Sequence, residues 1–140
     1  MNKLRLILGD QLNINHSWFK ENNSKITYVM MEVKEETSYV LHHAQKIIAT
    51  FAAMRFFAEQ LQQKGFEVIY FKINDKQNKQ SFYQNINKTI KEKNIGELQY
   101  LEPDEYRLST ELKKLESIEN IKVELVDTEH FLVPKLYAKD

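Results

Sequence analysis

Leu4-Arg5-Leu6-Ile7-Leu8 is a short apolar run, and the turn-forming pair Gly9-Asp10 ends it at once. Four further apolar runs follow, at residues 26–33, 66–71, 98–101 and 123–126. All five have lengths typical of buried β-strands. Helix-like patterns separate all but the first two runs, and strands that alternate with helices imply right-handed crossovers and a parallel sheet. The pattern predicts an α/β domain, a Rossmann-like three-layer structure with a five-stranded parallel sheet flanked by helices.

The longest helical pattern covers residues 39–64, where apolar side chains recur with the 3.6-residue period of an α-helix. They are Ala44, Ile47, Ile48, Phe51, Met54, Ala58 and Leu61. Thr37 or Ser38 is a suitable N-cap, and Gly65 stands where a glycine commonly ends a helix. The pattern therefore predicts one long helix that packs on the sheet.

Shorter helical patterns cover residues 81–94 and 104–116. Gly96 follows the first pattern and is interpreted as its stop signal, and Asp104 is able to cap the second. A short helix is expected near residues 17–21, and the polar residues 74–80 are expected to form a surface loop.

Arg55 lies within the apolar stripe of the long helix, between Phe51 and Ala58. A buried arginine needs a partner, so a carboxylate is expected beside it. Further apolar residues lie away from the main stripe, at Ala49, Ala53, Phe56 and Phe57. Such a helix is usually buried on more than one face, which favours contact with another domain, a partner or a second copy, unless the C-terminal segment covers it.

The composition argues against several classes of function. Lysine plus arginine equals aspartate plus glutamate at 20 each, and the resulting net charge of zero disfavours nucleic-acid binding through bulk electrostatics. The 140 residues contain no cysteine, which excludes disulfides, thiolate metal sites and a cysteine nucleophile in this chain. We find no signal peptide or membrane-spanning run, so we expect a single cytoplasmic domain with no membrane partner.

Ligands bind to open α/β sheets beyond the carboxyl ends of the strands. Gly9, Asp10, Gln11 and Leu12 follow the first strand there. The glycine permits a sharp turn or a close backbone approach, and the next two residues offer hydrogen bonds. An ordinary β-turn explains the same residues.

Three carboxylates lie at or just after the end of the second predicted strand. Glu35 is explained as a favourable charge near a helix start. Glu32 and Glu36 are interpreted as carboxylates that accept hydrogen bonds from N–H or hydroxyl groups of a ligand.

Other arrangements give weaker signals. The chain has neither a GxGxxG fingerprint nor a P-loop. His42 and His43 are adjacent and point about 100° apart on a helix, so they cannot share a metal ion. With His16 and His130 distant, the histidines are interpreted as structural, and Ser17 lacks a nucleophile-elbow context. An aromatic wall or ordinary core is formed by Trp18, Phe19, Phe131 and Tyr137.

Several segments, taken in order, carry a family resemblance. They are Leu6-Ile7-Leu8-Gly9-Asp10-Gln11-Leu12, His16-Ser17-Trp18-Phe19, Met31-Glu32-Val33 with Glu36-Thr37, His42-His43-Ala44-Gln45-Lys46, Ala53-Met54-Arg55-Phe56-Phe57-Ala58, Gly65, Glu102-Pro103-Asp104-Glu105-Tyr106-Arg107-Leu108 and His130-Phe131-Leu132. The chain resembles the deoxyribodipyrimidine photolyase-related proteins, the bacterial iron–sulfur branch of the photolyase/cryptochrome family that includes the prokaryotic (6-4) photolyases. The resemblance extends to about Pro134.

The resemblance implies that residues 1–134 form a photolyase-type N-terminal α/β antenna domain and that residues 135–140 begin the interdomain linker. Such a domain holds a light-harvesting chromophore, 6,7-dimethyl-8-ribityllumazine. FAD, a four-cysteine iron–sulfur cluster and the DNA-lesion site belong to a helical C-terminal catalytic domain outside this sequence. This chain alone is therefore expected to be non-catalytic, to have that catalytic domain as its partner, and to meet DNA only through it.

By position, the resemblance assigns chromophore binding to seven residues and assigns no metal ligand. They are Gly9, Asp10, Gln11 and Leu12 in the pocket loop, and Glu32, Val33 and Glu36 beside the lumazine or its ribityl chain.

Two alternatives from other classes stay open. One is an interaction module without chromophore that forms a homodimer through the exposed apolar helix face. The other is a small-molecule enzyme of the nucleotide-binding α/β kind, against which the missing phosphate loop counts.

Overall fold

The computed structural model describes residues 2–9, 11–20, 24–33, 44–101, 112–118 and 121–126, and of residues 44–47 the backbone alone. Its strands are β1 (Asn2–Leu6), β2 (Ile26–Met31), β3 (Glu67–Phe71), β4 (Ile95–Leu101) and β5 (Lys122–Val126). Its α-helices are α1 (Ala44–Gln63) and α2 (Phe82–Lys93), and short 3₁₀ helices span Ser17–Phe19 and Lys113–Ser117.

The five strands form one parallel sheet in the order β3-β2-β1-β4-β5. β1 lies at the centre, where Leu6 is in register with Val29 of β2 and with Tyr100 of β4. The predicted fold class, a five-stranded parallel sheet in a Rossmann-like α/β domain, is confirmed.

Each face of the sheet carries its own apolar core. Side chains alternate along β1, so Leu4 and Leu6 point to one face and Ile7 to the other. The first core includes α2, through Phe82, Ile86 and Ile90. The second includes α1, through Met54, Phe57, Ala58 and Leu61. The helices therefore cover opposite faces, which makes the domain three layers thick.

The sequence predicts the C-terminal end of α1 correctly and the C-terminal end of α2 incorrectly. Gly65 has φ 93°, and the Phe66 N–H donates to the Leu61 carbonyl at 3.0 Å, so Gly65 ends α1 as predicted. The prediction for Gly96 is wrong. Asn94 ends α2 with φ 54°, because asparagine tolerates the left-handed conformation, and Gly96 lies inside β4.

The predicted apolar stripe of α1 is partly wrong. Met54 and Leu61 are buried as predicted, but Ile48 is 68% exposed and Phe57 is only 4% exposed. The buried row is centred on Met54, Phe57 and Leu61, which follow one another at helical spacing, and Ile48 lies outside it. The outer face of α1, defined as Ile48, Ala49, Ala52, Ala53 and Phe56, is exposed and apolar, and the exposed Glu59 follows one turn after Phe56.

The remaining helix predictions are only partly covered by the described residues. A 3₁₀ helix at Ser17–Phe19 occupies the first connection, where a short helix was expected. Most of the predicted helix at 104–116, and the predicted caps Thr37 and Ser38, lie outside the described residues. Among the described residues, the 3₁₀ segment Lys113–Ser117 occupies the last part of that predicted range. Within the described ranges, no helix combines the length and apolar character needed to cross a membrane.

Candidate functional site

The strand order creates a switch point beside β1. The chain leaves β1 for β2 on one side and returns on the other side as β4, so the connections diverge at the carboxyl ends of β1 and β4. Gly9 lies in the turn that follows β1, and Leu101 ends β4. The predicted residues that follow β1 therefore stand where sheets of this type bind ligands.

Gln11 joins the two sides of this switch point. Its buried side chain accepts from the Leu8 N–H at 3.3 Å and donates from Nε2 to the Leu101 carbonyl at 3.2 Å. The loop after β1 is thereby fixed to the end of β4. Gln11 has a role in the fold, and its contact with a ligand stays a prediction.

Glu32 follows β2, and its fully buried carboxylate accepts four hydrogen bonds. Arg55 donates from Nε to Oε2 at 2.6 Å and from Nη2 to Oε1 at 2.7 Å. The Tyr70 hydroxyl donates to Oε2 at 2.5 Å, and the Ile73 N–H donates to Oε1 at 3.0 Å. Each oxygen has two donors, which matches its two lone pairs.

Arg55 therefore has the carboxylate partner that its position in the helix predicts. Its expected burial is wrong, because 43% of its side chain is exposed while that of Glu32 is not exposed at all. The two bonds to Glu32 form a planar fork, which fixes the orientation of the guanidinium. The Nη1 end of Arg55 takes no part in that fork.

Electrostatics keep this group in one protonation state at neutral pH. Burial by itself would raise the pKa of Glu32, but hydrogen bonds from Arg55, Tyr70 and Ile73 and the charge of Arg55 outweigh it and lower the pKa. Burial and the bond to Glu32 raise the pKa of Tyr70. The hydrogen bond to Glu32 raises the pKa of Arg55. A carboxylate and a guanidinium therefore form a pair with no net charge.

The loop after β3 holds the backbone of Glu32 in place through Asn78. Asn78 is buried, and its Nδ2 donates to the Glu32 carbonyl at 2.7 Å and to the Lys72 carbonyl at 3.0 Å. Its Oδ1 accepts from the Gln80 N–H and from Asn85 of α2. The predicted surface loop at 74–80 is thus anchored to both β2 and α2 by amide side chains.

The other predicted site residues have different surroundings. Gly9 is partly exposed in its turn, and Leu12 is partly buried against the core that includes α1. Val33 is fully buried in the core that includes α2, so its side chain packs in the protein interior. Asp10 and Glu36 lie outside the described residues.

His16 has the structural role that was expected of it. It is buried, and its Nδ1 accepts from the Trp18 N–H at 3.0 Å. Trp18 and Phe19 belong to an aromatic cluster in the core with Tyr28, Phe57 and Phe66. His42, His43, His130, Phe131 and Tyr137 lie outside the described residues. Among the residues that are described, no three His, Cys, Asp or Glu side chains converge on a metal site.

Sequence reasoning missed Tyr70 and Asn78. The amide-rich composition of residues 74–80 was a usable signal for Asn78, because such side chains often bond nearby backbone groups. Tyr70 carries no such signal. It reaches Glu32 only because β2 and β3 pair in the register that sets Met30 beside Tyr70.

One known protein is similar in sequence over most of the chain. It is a (6-4) photolyase of Agrobacterium fabrum (strain C58), 36% identical over 133 residues. The alignment covers 94% of this chain but 26% of the photolyase, so the chain spans about a quarter of the length of that relative. Among solved structures, a hypothetical protein from structural genomics is similar with a TM-score of 0.49 and 13% identity, over 91% of this chain and 96% of that one.

The family comparison covers nearly all of the sequence. The profile described as "Deoxyribodipyrimidine photo-lyase-related protein" matches residues 5–139. The match includes the end of β1, the Glu32–Arg55 pair and the whole of β2 to β5. The chain therefore belongs to the deoxyribodipyrimidine photolyase-related protein family.

Proposed function

We propose that this chain is the N-terminal light-harvesting domain of a photolyase-related DNA repair flavoprotein. One observation carries the proposal: the family match covers residues 5–139, whereas the aligned part is only 26% of a (6-4) photolyase. A domain of this size is a module of such a protein, and its sheet offers a ligand site at the switch point. FAD and an iron–sulfur cluster would belong to the C-terminal catalytic domain, since this sequence has no cysteine to ligate a cluster.

The proposed ligand is 6,7-dimethyl-8-ribityllumazine, bound beyond the carboxyl ends of β1 and β2. The turn at Gly9 lets a flat ring approach the backbone, because no side chain stands there. Leu12 would exclude water from one side. Asp10 and Glu36 would satisfy ribityl hydroxyls, which need partners once they are buried.

The chemistry assigned to this chain is binding and orientation. The chromophore would absorb near-ultraviolet or blue light and pass its excitation energy to FAD in the catalytic domain. No bond is made or broken here. Residues of the site would therefore change the amount of light that drives repair and leave the repair reaction itself unchanged.

An absorption and fluorescence titration of the full chain with 6,7-dimethyl-8-ribityllumazine tests the proposal. We expect saturable binding, weakened by Glu36→Ala and unaffected by Glu59→Ala, which removes an exposed carboxylate from α1. FAD should bind weakly or not at all, and the chain alone should not repair lesions under light. A folded chain that shows no saturable lumazine binding would contradict the proposal.

A second candidate function, an interaction module, is favoured by the outer face of α1. Ile48 is 68% exposed and Phe56 is 62% exposed on this face, and exposed apolar patches mark interaction sites. In the first proposal this face contacts the catalytic domain, and in the second it forms a homodimer. Light scattering of the wild type and of Phe56→Ser separates the two. A dimer that Phe56→Ser dissociates, in a chain that binds no lumazine, would favour the second.

A further inference from the structure

The carboxylate of Glu32 has no capacity left for a ligand. Its two oxygens already accept from Arg55 twice, from Tyr70 and from Ile73, and its side chain is not exposed. A ligand N–H or hydroxyl would have to displace one of these donors. The role first assigned to Glu32, direct hydrogen bonding to a ligand, therefore fits its neighbour on α1 better.

Arg55, unlike Glu32, has hydrogen-bonding capacity left for a ligand. Its guanidinium is held by two bonds to a buried carboxylate, and 43% of its side chain remains exposed. Glu32 engages the Nε–H and one N–H of Nη2, which leaves the Nη1 end unused by the fork. The loop after β3 also holds Glu32: the Ile73 N–H donates to its carboxylate, and Asn78 donates to its backbone carbonyl. Arg55 is thus an oriented donor at the carboxyl edge of the sheet.

Gly9 follows β1, the strand that pairs with β2 just before Glu32. The register of β1 and β2 pairs Leu6 with Val29, and the Ile7 N–H continues the ladder with a 3.0 Å bond to the Val29 carbonyl. Gly9 lies three residues beyond Leu6 and Glu32 lies three residues beyond Val29, so both follow these paired strands at the carboxyl edge of the sheet. Among the described glycines only Gly65 has a positive φ, so the backbone at Gly9 does not require glycine. What glycine provides there is a position without a side chain at the same edge of the sheet as the Glu32–Arg55 pair.

We propose that Arg55 is a ligand-contacting residue that donates from its Nη1 end to an oxygen acceptor on the heterocycle of the bound chromophore, with Glu32 as its positioning residue. This inference rests on the proposed function and goes beyond it by naming the donor and the part of the ligand that it meets. The Glu32–Arg55 pair has no net charge, so it offers directional N–H groups without attracting phosphate. A carbonyl oxygen of an uncharged ring matches that character.

The test titrates wild type, Arg55→Gln and Arg55→Lys with 6,7-dimethyl-8-ribityllumazine, with Lys64→Gln as a charge-matched control near the end of the same helix. We expect Arg55→Gln to weaken binding about tenfold or more, since a hydrogen bond from a charged donor is lost. The absorption maximum of the bound ligand should also shift, which a purely structural role would not cause. Arg55→Lys keeps the ion pair with Glu32 but loses the planar two-bond geometry. If Arg55→Gln does not fold, the affinity and the absorption maximum measured with Arg55→Lys test the inference instead.

The same variants are then titrated with 6,7-dimethyllumazine, which lacks the ribityl chain. An equal fold-loss with both ligands supports contact with the heterocycle, whereas a loss seen only with the ribityl compound would overturn it. Folded Arg55 variants that bind with wild-type affinity and an unshifted spectrum would overturn the inference and leave the proposed function intact. A folded wild type that binds neither compound would overturn both.

Discussion

Two arginines near the same face of the sheet are held in different ways. Arg5, in β1, donates to Gln99 Oε1 at 2.8 Å and to the Tyr28 hydroxyl at 3.0 Å, and its guanidinium lies 4.8 Å from the centroid of the Trp18 ring. Arg55, on α1, donates twice to a buried carboxylate. One cation has neutral partners, and the other has a partner of opposite charge.

The two arginines differ in what their hydrogen-bond partners lose when the arginine is removed. Without Arg5, a neutral amide and a phenol lose one hydrogen bond each, and the amide of Gln99 still contacts Glu124 at 2.7 Å. Without Arg55, a buried negative charge loses two of its four donors. An uncompensated buried charge is far more costly than a lost neutral bond.

The largest expected effect is that of Arg55→Ala. We expect the free energy of unfolding to fall by about 3 kcal/mol, because Glu32 stays buried with only Tyr70 and Ile73 as donors. Urea denaturation measures this, with Lys64→Ala as an exposed control that should change stability by less than about 0.5 kcal/mol. A loss below about 1 kcal/mol would mean that the charge of Glu32 is not compensated mainly by Arg55.

The next effect is that of Asn78→Ala. The Glu32 carbonyl would lose its bond from Asn78, and the Lys72 carbonyl would keep the Asp75 N–H as donor. We expect a loss of about 2 kcal/mol in the same denaturation experiment. Asn74→Ala, at an exposed position of the same loop, is the matched control. Equal stability of the two variants would show that the loop does not anchor the Glu32–Arg55 pair.

Arg5→Met is expected to cost less, about 1 kcal/mol, since methionine keeps apolar contact with Trp18 and only neutral hydrogen bonds are lost. Lys122→Met, at an exposed position of β5, is its control. If Arg5→Met cost as much as Arg55→Ala, the distinction between the two arginines would be wrong.

The smallest expected effect is a difference between the Arg5 and Arg55 variants in how their folding stability depends on pH. The pKa of Glu32 is lowered by folding from 4.5, so the stability it contributes is present above about pH 4.5 and is lost as the pH falls through the folded value. Between about pH 7 and about pH 4, the wild type and Arg5→Met should both lose less than about 1 kcal/mol from this group. Arg55→Ala should lack that loss, because burial then raises the pKa of Glu32 and protonation favours the folded state. Parallel pH profiles of all three proteins would contradict this account.

The order of strands and helices was predictable because each apolar run has its own period and its own stop signal. Gly65 shows this well, since its position alone indicates a left-handed helix end, and its φ is 93°. Asn94 shows the limit, because a nearby glycine gave a stronger but misleading signal. Local patterns therefore predict the elements better than they predict the exact residue that ends each one.

The surroundings of the candidate site residues could be predicted only in part. The location of these residues follows from a general property of parallel sheets, so Gly9 and Glu32 could be named from the sequence. The partners of Glu32 depend on the register between β2 and β3 and on the rotation of α1 about its axis. The apolar periodicity of the sequence fixes neither of them to the exact residue. Arg55 was therefore expected to be buried, although its guanidinium is half-exposed and it is the carboxylate that is fully enclosed.

The central position of β1 also has a consequence for synthesis on the ribosome. By residue 71 the growing chain contains β1, β2, α1 and β3, which are neighbours in the final sheet. The other edge of β1 must wait for β4, and the contact between Arg5 and Gln99 joins positions 94 residues apart. Until then the strand that becomes the centre of the sheet is an open edge, able to pair with another nascent chain. We therefore expect slow translation between residues 71 and 101 to prolong this half-built sheet and to lower the yield of folded protein.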